Sequence, residues 1–386
     1  MVTLLAVVLI YEIVFYGRYI AAVPRLLRRQ AKVKDSGTNT MLNRPGCSVI
    51  VCARNEARNI RPYLQALLTQ DYPIYEVIVV NDGSQDDTRE AIEWYMVRDS
   101  RVRMTFVPLG AHVGSTKKLA ITLGAKAAQY DYLLLTDADC RPESKHWISS
   151  MMAGFSRPGT DIVLGYGAYF REKSHLNRLI QFDTLFNGLH YLGMALAGRP
   201  YMGVGRNLAY RKEFFFESGG FSTMMTARSG DDDLFVNKTA NRTNTTVVVD
   251  DDSLTWSLPK QSLREWMQQK RRHLSVSTRY TAASKLHLGL EPIVRGLFYA
   301  LVPAMVILSV GAFFGCTTVP FCPWLGVAAL GALVLRWAMQ FGIMTAASRR
   351  MHQHRFGLNI LYFDIILPLI NLYIFISAPL YRNAKW

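Results

Sequence analysis

The hydrophobic residues of this chain are segregated. They crowd the start, from Met1 to about Tyr19, and the stretch from Pro292 onward, and they thin out between. A chain divided in this way folds in two solvents, with its ends in hydrocarbon and its middle in water. Thr3 to Tyr19 is apolar apart from Glu12 and Arg18, and a basic cluster follows at Arg25, Arg28, Arg29, Lys32 and Lys34. The charge comes after the apolar run and no small-residue cleavage site is present, so the run reads as an uncleaved anchor and not as a signal peptide. Residues 1–24 are therefore assigned to an anchor helix and 25–45 to a basic linker. Three further apolar segments, roughly 293–314, 324–346 and 358–380, place a membrane domain at 292–381. Each is long enough to cross a hydrocarbon core of about 30 Å as a helix.

Between the last two segments lies Ser348 to Arg355, a loop rich in arginine and histidine. The positive-inside bias puts this loop, the basic end of the anchor and the whole central region in the cytoplasm, with a bacterial inner membrane as the expected setting. That count leaves Arg382 and Lys385 outside, against the charge rule. Asp364 and Pro368 suggest a kinked or re-entrant last segment.

The net charge is +15. The cations flank the apolar segments and are not interleaved with aromatics. This excludes nucleic acid as a partner and points to anionic membrane lipids. Cys47, Cys52 and Cys140 fall in or beside apolar runs and read as buried thiols, without zinc-site spacing. Cys316 and Cys322 lie together on the outer side, either disulfide-bonded or free.

The middle, residues 46–285, alternates strand-like and helix-like stretches. Apolar runs at Cys47–Ala53, Tyr75–Val80, Arg103–Val107 and Tyr132–Leu135 are separated by helical patterns, including Asn59–Thr69 and Lys117–Gln129. This is the pattern of a parallel sheet with right-handed crossovers. Beyond Trp147 the pattern is mixed. Strands are expected at Asp161–Tyr169, Gly205–Tyr210 and Thr245–Val249, an amphipathic helix at Leu176–Ala197, and a basic helix at Ser262–Tyr280. Both helices are expected at the membrane surface. His112, His175 and His190 lack partners in sequence and read as structural, and Asp250–Asp252 reads as a solvated turn.

Carboxylates gather where the strands end. Asp82 follows the second strand, Asp137 and Asp139 follow the fourth, and Asp231, Asp232 and Asp233 come from the second half. Ligands of open α/β sheets bind beyond the carboxyl ends of the strands. Group transfer from a nucleotide diphosphate needs one carboxylate for the nucleoside, a pair for a divalent cation and one as general base. Lys270, Arg271 and Arg272, with Gln269 beside them, can stabilise the departing phosphates.

Four motifs in order resemble a membrane-integrated family 2 glycosyltransferase of the GT-A fold, over about Cys47 to Tyr280. They are S-V-I-V-C-A-R-N-E with V-V-N-D-G-S, then T-D-A-D, then S-G-D-D-D-L-F, then Q-K-R-R-H. The resemblance implies an α/β GT-A domain with a mostly parallel sheet and membrane helices at both ends. It implies nucleotide contacts from Ala53, Glu56 and Asp82, with Lys117, Arg271 and His273 near the donor, and Mg²⁺ or Mn²⁺ on Asp139 and Asp137. It implies a base at Asp232 or Asp231, with Asp233 a helix cap or surface residue, and leaving-group stabilisation by Arg272 and Gln269. Gly205-Arg206-Asn207 resembles the stretch lining the acceptor side, with Asn207 either a pocket or a strand-edge residue. His273 stands where the family has Trp, a departure that weakens any inference of a long polymer product. The implied reaction is inverting transfer from a UDP-linked sugar to a membrane lipid or lipid-linked acceptor. The alternatives are a processive polysaccharide synthase and a non-catalytic binding protein on the same fold.

Overall fold

The computed structural model describes residues 1–34, 44–108, 110, 115–226, 229–315, 322 and 324–377. Cys316, His112, Arg382 and Lys385 lie outside these residues, and with them the disulfide and the C-terminal charges.

Chain entry is helical for longer than the composition suggests. Helix α1 (Val2–Phe15) runs through a π-turn at Tyr16–Ile20 into α2 (Ala22–Lys34), so the first part of the expected linker is helix. The sheet then begins. β1 (Cys47–Ala53), β2 (Tyr75–Asn81), β3 (Val102–Phe106) and β4 (Tyr132–Asp137) alternate with α3 (Ala57–Leu68), α4 (Thr88–Met96) and α5 (Thr116–Ala127). β1 is flanked by β2 and β4, and β2 by β3, all in parallel. β1, β2 and β4 are covered on both faces, which is why they read as apolar runs without alternation. Gly124 lets α5 approach closely, since a Cβ there would stand 2.7 Å from Ile50.

β5 (Cys140–Pro142) and α6 (Trp147–Ala153) follow. The expected strand Asp161–Tyr169 divides in two. β6 (Ile162–Leu164) joins the main sheet, and β7 (Gly167–Tyr169) turns into a second sheet. After α7 (His175–Leu196), β8 (Leu208–Arg211) inserts antiparallel between β4 and β6. α8 (Lys212–Glu217) and α9 (Asp233–Thr239) lead to β9 (Thr245–Val247) at the edge and β10 (Thr255–Ser257) in the second sheet. The main sheet has the order β3-β2-β1-β4-β8-β6-β9, and the small one β5-β10-β7.

α10 (Leu263–Ser277) precedes three long helices, α11 (Ala282–Phe313), α12 (Trp324–Arg350) and α13 (Asn359–Ser377). These three and Val2–Gln30 are long and apolar enough to cross a membrane. α11 starts ahead of the expected boundary at residue 292. α13 is continuous through Pro368, and Asp364 causes no break because it is neutralised inside the bundle. Arg336 Nη1 donates to Asp364 Oδ2, Arg295 Nη1 lies 3.3 Å from Asp364 Oδ1, and Arg336 Nε reaches Glu12 Oε2 at 3.3 Å. Gln340 and Tyr299 also donate to Asp364. Buried charges are tolerated in this way, paired and hydrogen-bonded.

α7 differs most from expectation. It is not an amphipathic surface helix. It is buried along most of its length, with the sheets on one side and α2, the π-turn and α13 on the other. Gly193 permits the closest approach, for a Cβ there would stand 1.9 Å from the Tyr19 carbonyl oxygen. The loop between α12 and α13 docks on the same domain. The His354 N–H donates to Gln181 Oε1 at 3.2 Å, and His352 meets Asp251 at 3.3 Å. The turn Asp250–Asp252 is thus a contact, and its Asp250 also accepts from Ser150 at 2.7 Å. His190 is buried among Phe15, Phe186 and Tyr201, as a structural ring would be.

Candidate active site

The parallel strands deliver their carboxyl ends to one cleft. β1 ends at Ala53, paired with Asn81 of β2, and Cys52 is paired with Asp137 of β4. Asp82 follows at once. It is buried and accepts from Thr116 Oγ1 at 2.6 Å, with Arg54 at 3.9 Å. Glu56 is fixed from both ends. Its N–H donates to Thr88 Oγ1 at 2.8 Å, and its carboxylate accepts from Asn59 at 2.6 Å. Burial, with the charges of Asp139 and Asp137, pushes its carboxyl up.

Asp137 ends β4 and faces Lys117, whose ammonium lies 2.8 Å from Asp137 Oδ1 and 3.3 Å from Asp231 Oδ2. Burial alone would push that ammonium down. Asp137, Asp231 and Asp232 outweigh it and keep Lys117 protonated. Asp139 turns to Ser257, which donates at 3.0 Å, and the Cys140 thiol lies 3.5 Å from its other oxygen. Burial and Asp137 push the Asp139 carboxyl up.

The acidic triplet separates into three environments. Asp231 is buried, yet Lys117 holds its carboxyl down. Asp232 is less buried and accepts from Gly205 N–H at 2.7 Å and Asp233 N–H at 2.9 Å. Burial and the Asp231 charge push it up. Asp233 is not a surface residue. It accepts from Tyr280 Oη and Leu234 N–H, both at 2.8 Å, and burial next to Asp232 raises its carboxyl to about 8.

Residues 48–223 match the family model "Glycosyl transferase family 2". The chain carries a family 2 glycosyltransferase domain. Over 94 residues it is 32% identical to the poly-β-1,6-N-acetyl-D-glucosamine synthase of Staphylococcus epidermidis, covering 24% of this chain and 22% of that protein. It is 31% identical over 125 residues to the glycosyltransferase AglE of Haloferax volcanii, covering 31% of this chain and 39% of that one. The chain thus spans well under half the length of these curated relatives. The mannosyltransferase PcManGT from Pyrobaculum calidifontis, solved with GDP-Man and Mn²⁺, superposes with a TM-score of 0.52 at 20% identity, covering 96% of this chain and 99% of that one. The shared architecture is the GT-A fold.

In this family 2 domain the donor set suits a hard divalent cation. Ligand atoms of Asp137, Asp139 and Cys140 lie within 4.8 Å of one another. Two carboxylates match Mg²⁺ or Mn²⁺. The buried thiol, its ionisation opposed by burial and by both Asp charges, is no competing ligand.

The basic helix α10 is only partly directed at the cleft. Gln269 Nε2 donates to Tyr169 Oη at 3.0 Å. Lys270 is diverted inward, bonding Asp183 of α7 at 2.6 Å. Arg271 lies over the Tyr373 ring of α13 at 5.8 Å, on the membrane-helix side. Arg272 and His273 are exposed. Asn207 is a buried structural residue. It accepts from Trp147 at 3.0 Å and donates to the Tyr166 and Ser253 carbonyls at 3.0 and 2.6 Å. Tyr169 and Ser257 carried no sequence signal, since each becomes a neighbour of the cleft only through the second sheet.

Proposed function

We propose that the chain is an inverting, metal-dependent glycosyltransferase that moves a sugar from a UDP-linked donor to a membrane lipid or lipid-linked acceptor, giving a β-glycoside. The observation that carries this reading is the meeting of Asp82, Lys117, Asp137, Asp139, Asp231 and Asp232 at the strand ends, two of them joined by Lys117.

Asp137 and Asp139 would hold Mg²⁺ or Mn²⁺, which when bound neutralises charge on the diphosphate. Ala53, Glu56 and Asp82 contact the nucleoside. Asp232 takes the acceptor hydroxyl proton as that oxygen attacks the anomeric carbon and the bond from carbon to diphosphate oxygen breaks. Its raised carboxyl makes it the better base of the pair, while Asp231 stays ionised against Lys117. Arg272 and Gln269 are assigned to the leaving side.

The lipid acceptor is supported by the docking of α7 and α10 against the membrane helices. The bundle interior is filled by the Glu12, Arg336, Asp364 and Arg295 network, where a polymer channel needs a wet lumen. The second reading, a processive synthase, is favoured by the similarity to the staphylococcal poly-β-1,6-N-acetyl-D-glucosamine synthase. Membranes carrying wild type or Asp232→Asn, given radiolabelled UDP-sugars with Mn²⁺, separate the readings. Mutant-sensitive label in the organic phase supports the lipid transferase, and label in high-mass aqueous material the synthase. Label that is insensitive to the mutation, or absent, favours a binding protein.

A further inference from the structure

The motifs of the family account for the carboxylates but leave one cation in the cleft without a task. Arg206 begins the turn into β8, next to Gly205, whose N–H holds Asp232. Its side chain is fixed on several sides. Nη1 donates to the Ala168 carbonyl at 3.0 Å, and the guanidinium lies 4.3 Å from the Tyr169 ring centroid. Tyr169 is itself held by Gln269. The Arg206 carbonyl accepts from Thr136 and Thr255, each at 3.1 Å. Gly167 makes room for the arginine, since a Cβ there would stand 3.1 Å from Arg206 Cβ and 3.3 Å from its Nε.

So firm a grip on an arginine normally comes with a carboxylate partner. Among the described residues none lies within the 4.0 Å of an ion pair, and the guanidinium bonds a neutral carbonyl. The pair suited to the metal stands beside it, since Tyr169 under the guanidinium pairs with Ser257, which donates to Asp139 at 3.0 Å, and Thr136, which holds the Arg206 carbonyl, precedes Asp137. A divalent cation on that pair would stand near a fixed positive charge. Two cations at such range repel unless an anion lies between them. Among the neighbouring cations Lys117 is engaged by Asp137 and Asp231, Lys270 by Asp183, Arg271 lies over Tyr373 and Arg272 stands at the exposed rim.

We propose that Arg206 binds the donor diphosphate jointly with the metal on Asp137 and Asp139, as a phosphate-binding residue outside the motifs of the family. The inference rests on the donor reading given above. It makes the site a clamp with one mobile jaw, the metal, and one fixed jaw, the arginine stacked on Tyr169. It also ties Gln269 to the diphosphate indirectly, through the hydroxyl of the ring on which Arg206 lies.

The test is the binding of Mn²⁺ and UDP, alone and together, to the purified full-length protein in detergent, by calorimetry and by the electron paramagnetic resonance signal of free Mn²⁺. In wild type each ligand should tighten the other, and by the same factor. Arg206→Gln should weaken UDP binding in the presence of Mn²⁺ about tenfold or more. Mn²⁺ alone should bind it as tightly as wild type or more tightly, because the neighbouring repulsion is gone. Arg206→Lys keeps the charge and should recover part of the UDP affinity. Unchanged UDP affinity in Arg206→Gln would overturn the proposal. So would a parallel loss of Mn²⁺ and UDP affinity in both variants, the mark of a residue that only supports the fold. A wild-type protein that binds no UDP with Mn²⁺ would overturn the donor reading as well.

Discussion

The Lys117 ammonium sits 2.8 Å from Asp137 Oδ1, so the carboxylate that ends β4 is neutralised from within the chain. The same ammonium reaches Asp231 at 3.3 Å, spanning both halves of the domain. Lys117→Gln should lower the melting temperature most in metal-free buffer and least with Mn²⁺, which takes over the neutralisation. The Lys117 side chain is 40% exposed, so a loss of about 1–2 kcal/mol is expected in metal-free buffer. Equal losses in both buffers would show that the lysine acts by packing alone.

Asp232→Asn should reduce transfer by about 10²- to 10⁴-fold while UDP affinity with Mn²⁺ stays within about twofold. Asp231→Asn should instead disturb Lys117 and weaken donor binding. The two effects are separated by measuring UDP binding and turnover on the same preparations. Reversal of the pattern would move the base to Asp231.

Asp233 sets a pH dependence of stability. Its folded carboxyl holds a proton up to about 8, while an ordinary aspartate has a value of 3.8. Between those values the folded state binds more protons than the unfolded state, so stability falls as pH rises through the window. Asp233→Asn cannot titrate and should flatten the melting temperature between pH 5 and pH 8, a range within about one unit of those bounds. Tyr280 keeps an acceptor in the Asn variant. A wild-type profile that rises across the same range would contradict this assignment.

Arg336 is fully buried between Glu12 and Asp364. Arg336→Leu leaves two carboxylates without their main partner and should destabilise the protein by about 3–5 kcal/mol. Arg336→Leu combined with Asp364→Leu should recover part of that loss, which thermal melts of the single and double variants will show. Additive losses would mean that the pair is not coupled.

Gly193→Ala places a methyl where the Tyr19 carbonyl now lies, at 1.9 Å. Overpacking of this kind costs about 1–3 kcal/mol. The loss should fall on the seating of α7 against the N-terminal helices, read as faster proteolysis within α2. Protection equal to wild type would show that the contact relaxes freely.

The first half of the domain was legible because its information is local. Each of β1, β2 and β4 is an apolar run that ends beside candidate residues, so the position of Asp82, Asp137 and Asp139 at the strand ends could be read from the sequence. The second half was less legible because partners arrive from far along the chain. Nothing near Asp233 announces Tyr280, and nothing near Lys270 announces Asp183. α7 reads as amphipathic until the N-terminal π-turn and α13 cover the side that would have faced out. Asp161–Tyr169 reads as one strand because its apolar pattern does not show the break at Gly165 and Tyr166, where the chain changes sheets. Arg206 carried a weak signal, a cation in a Gly-Arg-Asn stretch, and the Tyr169 ring and Ala168 carbonyl that hold it distinguish it from a surface arginine.

α7 has one more consequence. A helix wedged between the sheets and the long apolar helices fixes the height of the cleft relative to those helices. The domain cannot rise or dip to meet an acceptor. On the lipid-acceptor reading proposed above, a headgroup would have to present its hydroxyl at the altitude this spacer dictates, so chain length between lipid anchor and hydroxyl would become a criterion of selection, applied before any pocket contact is made.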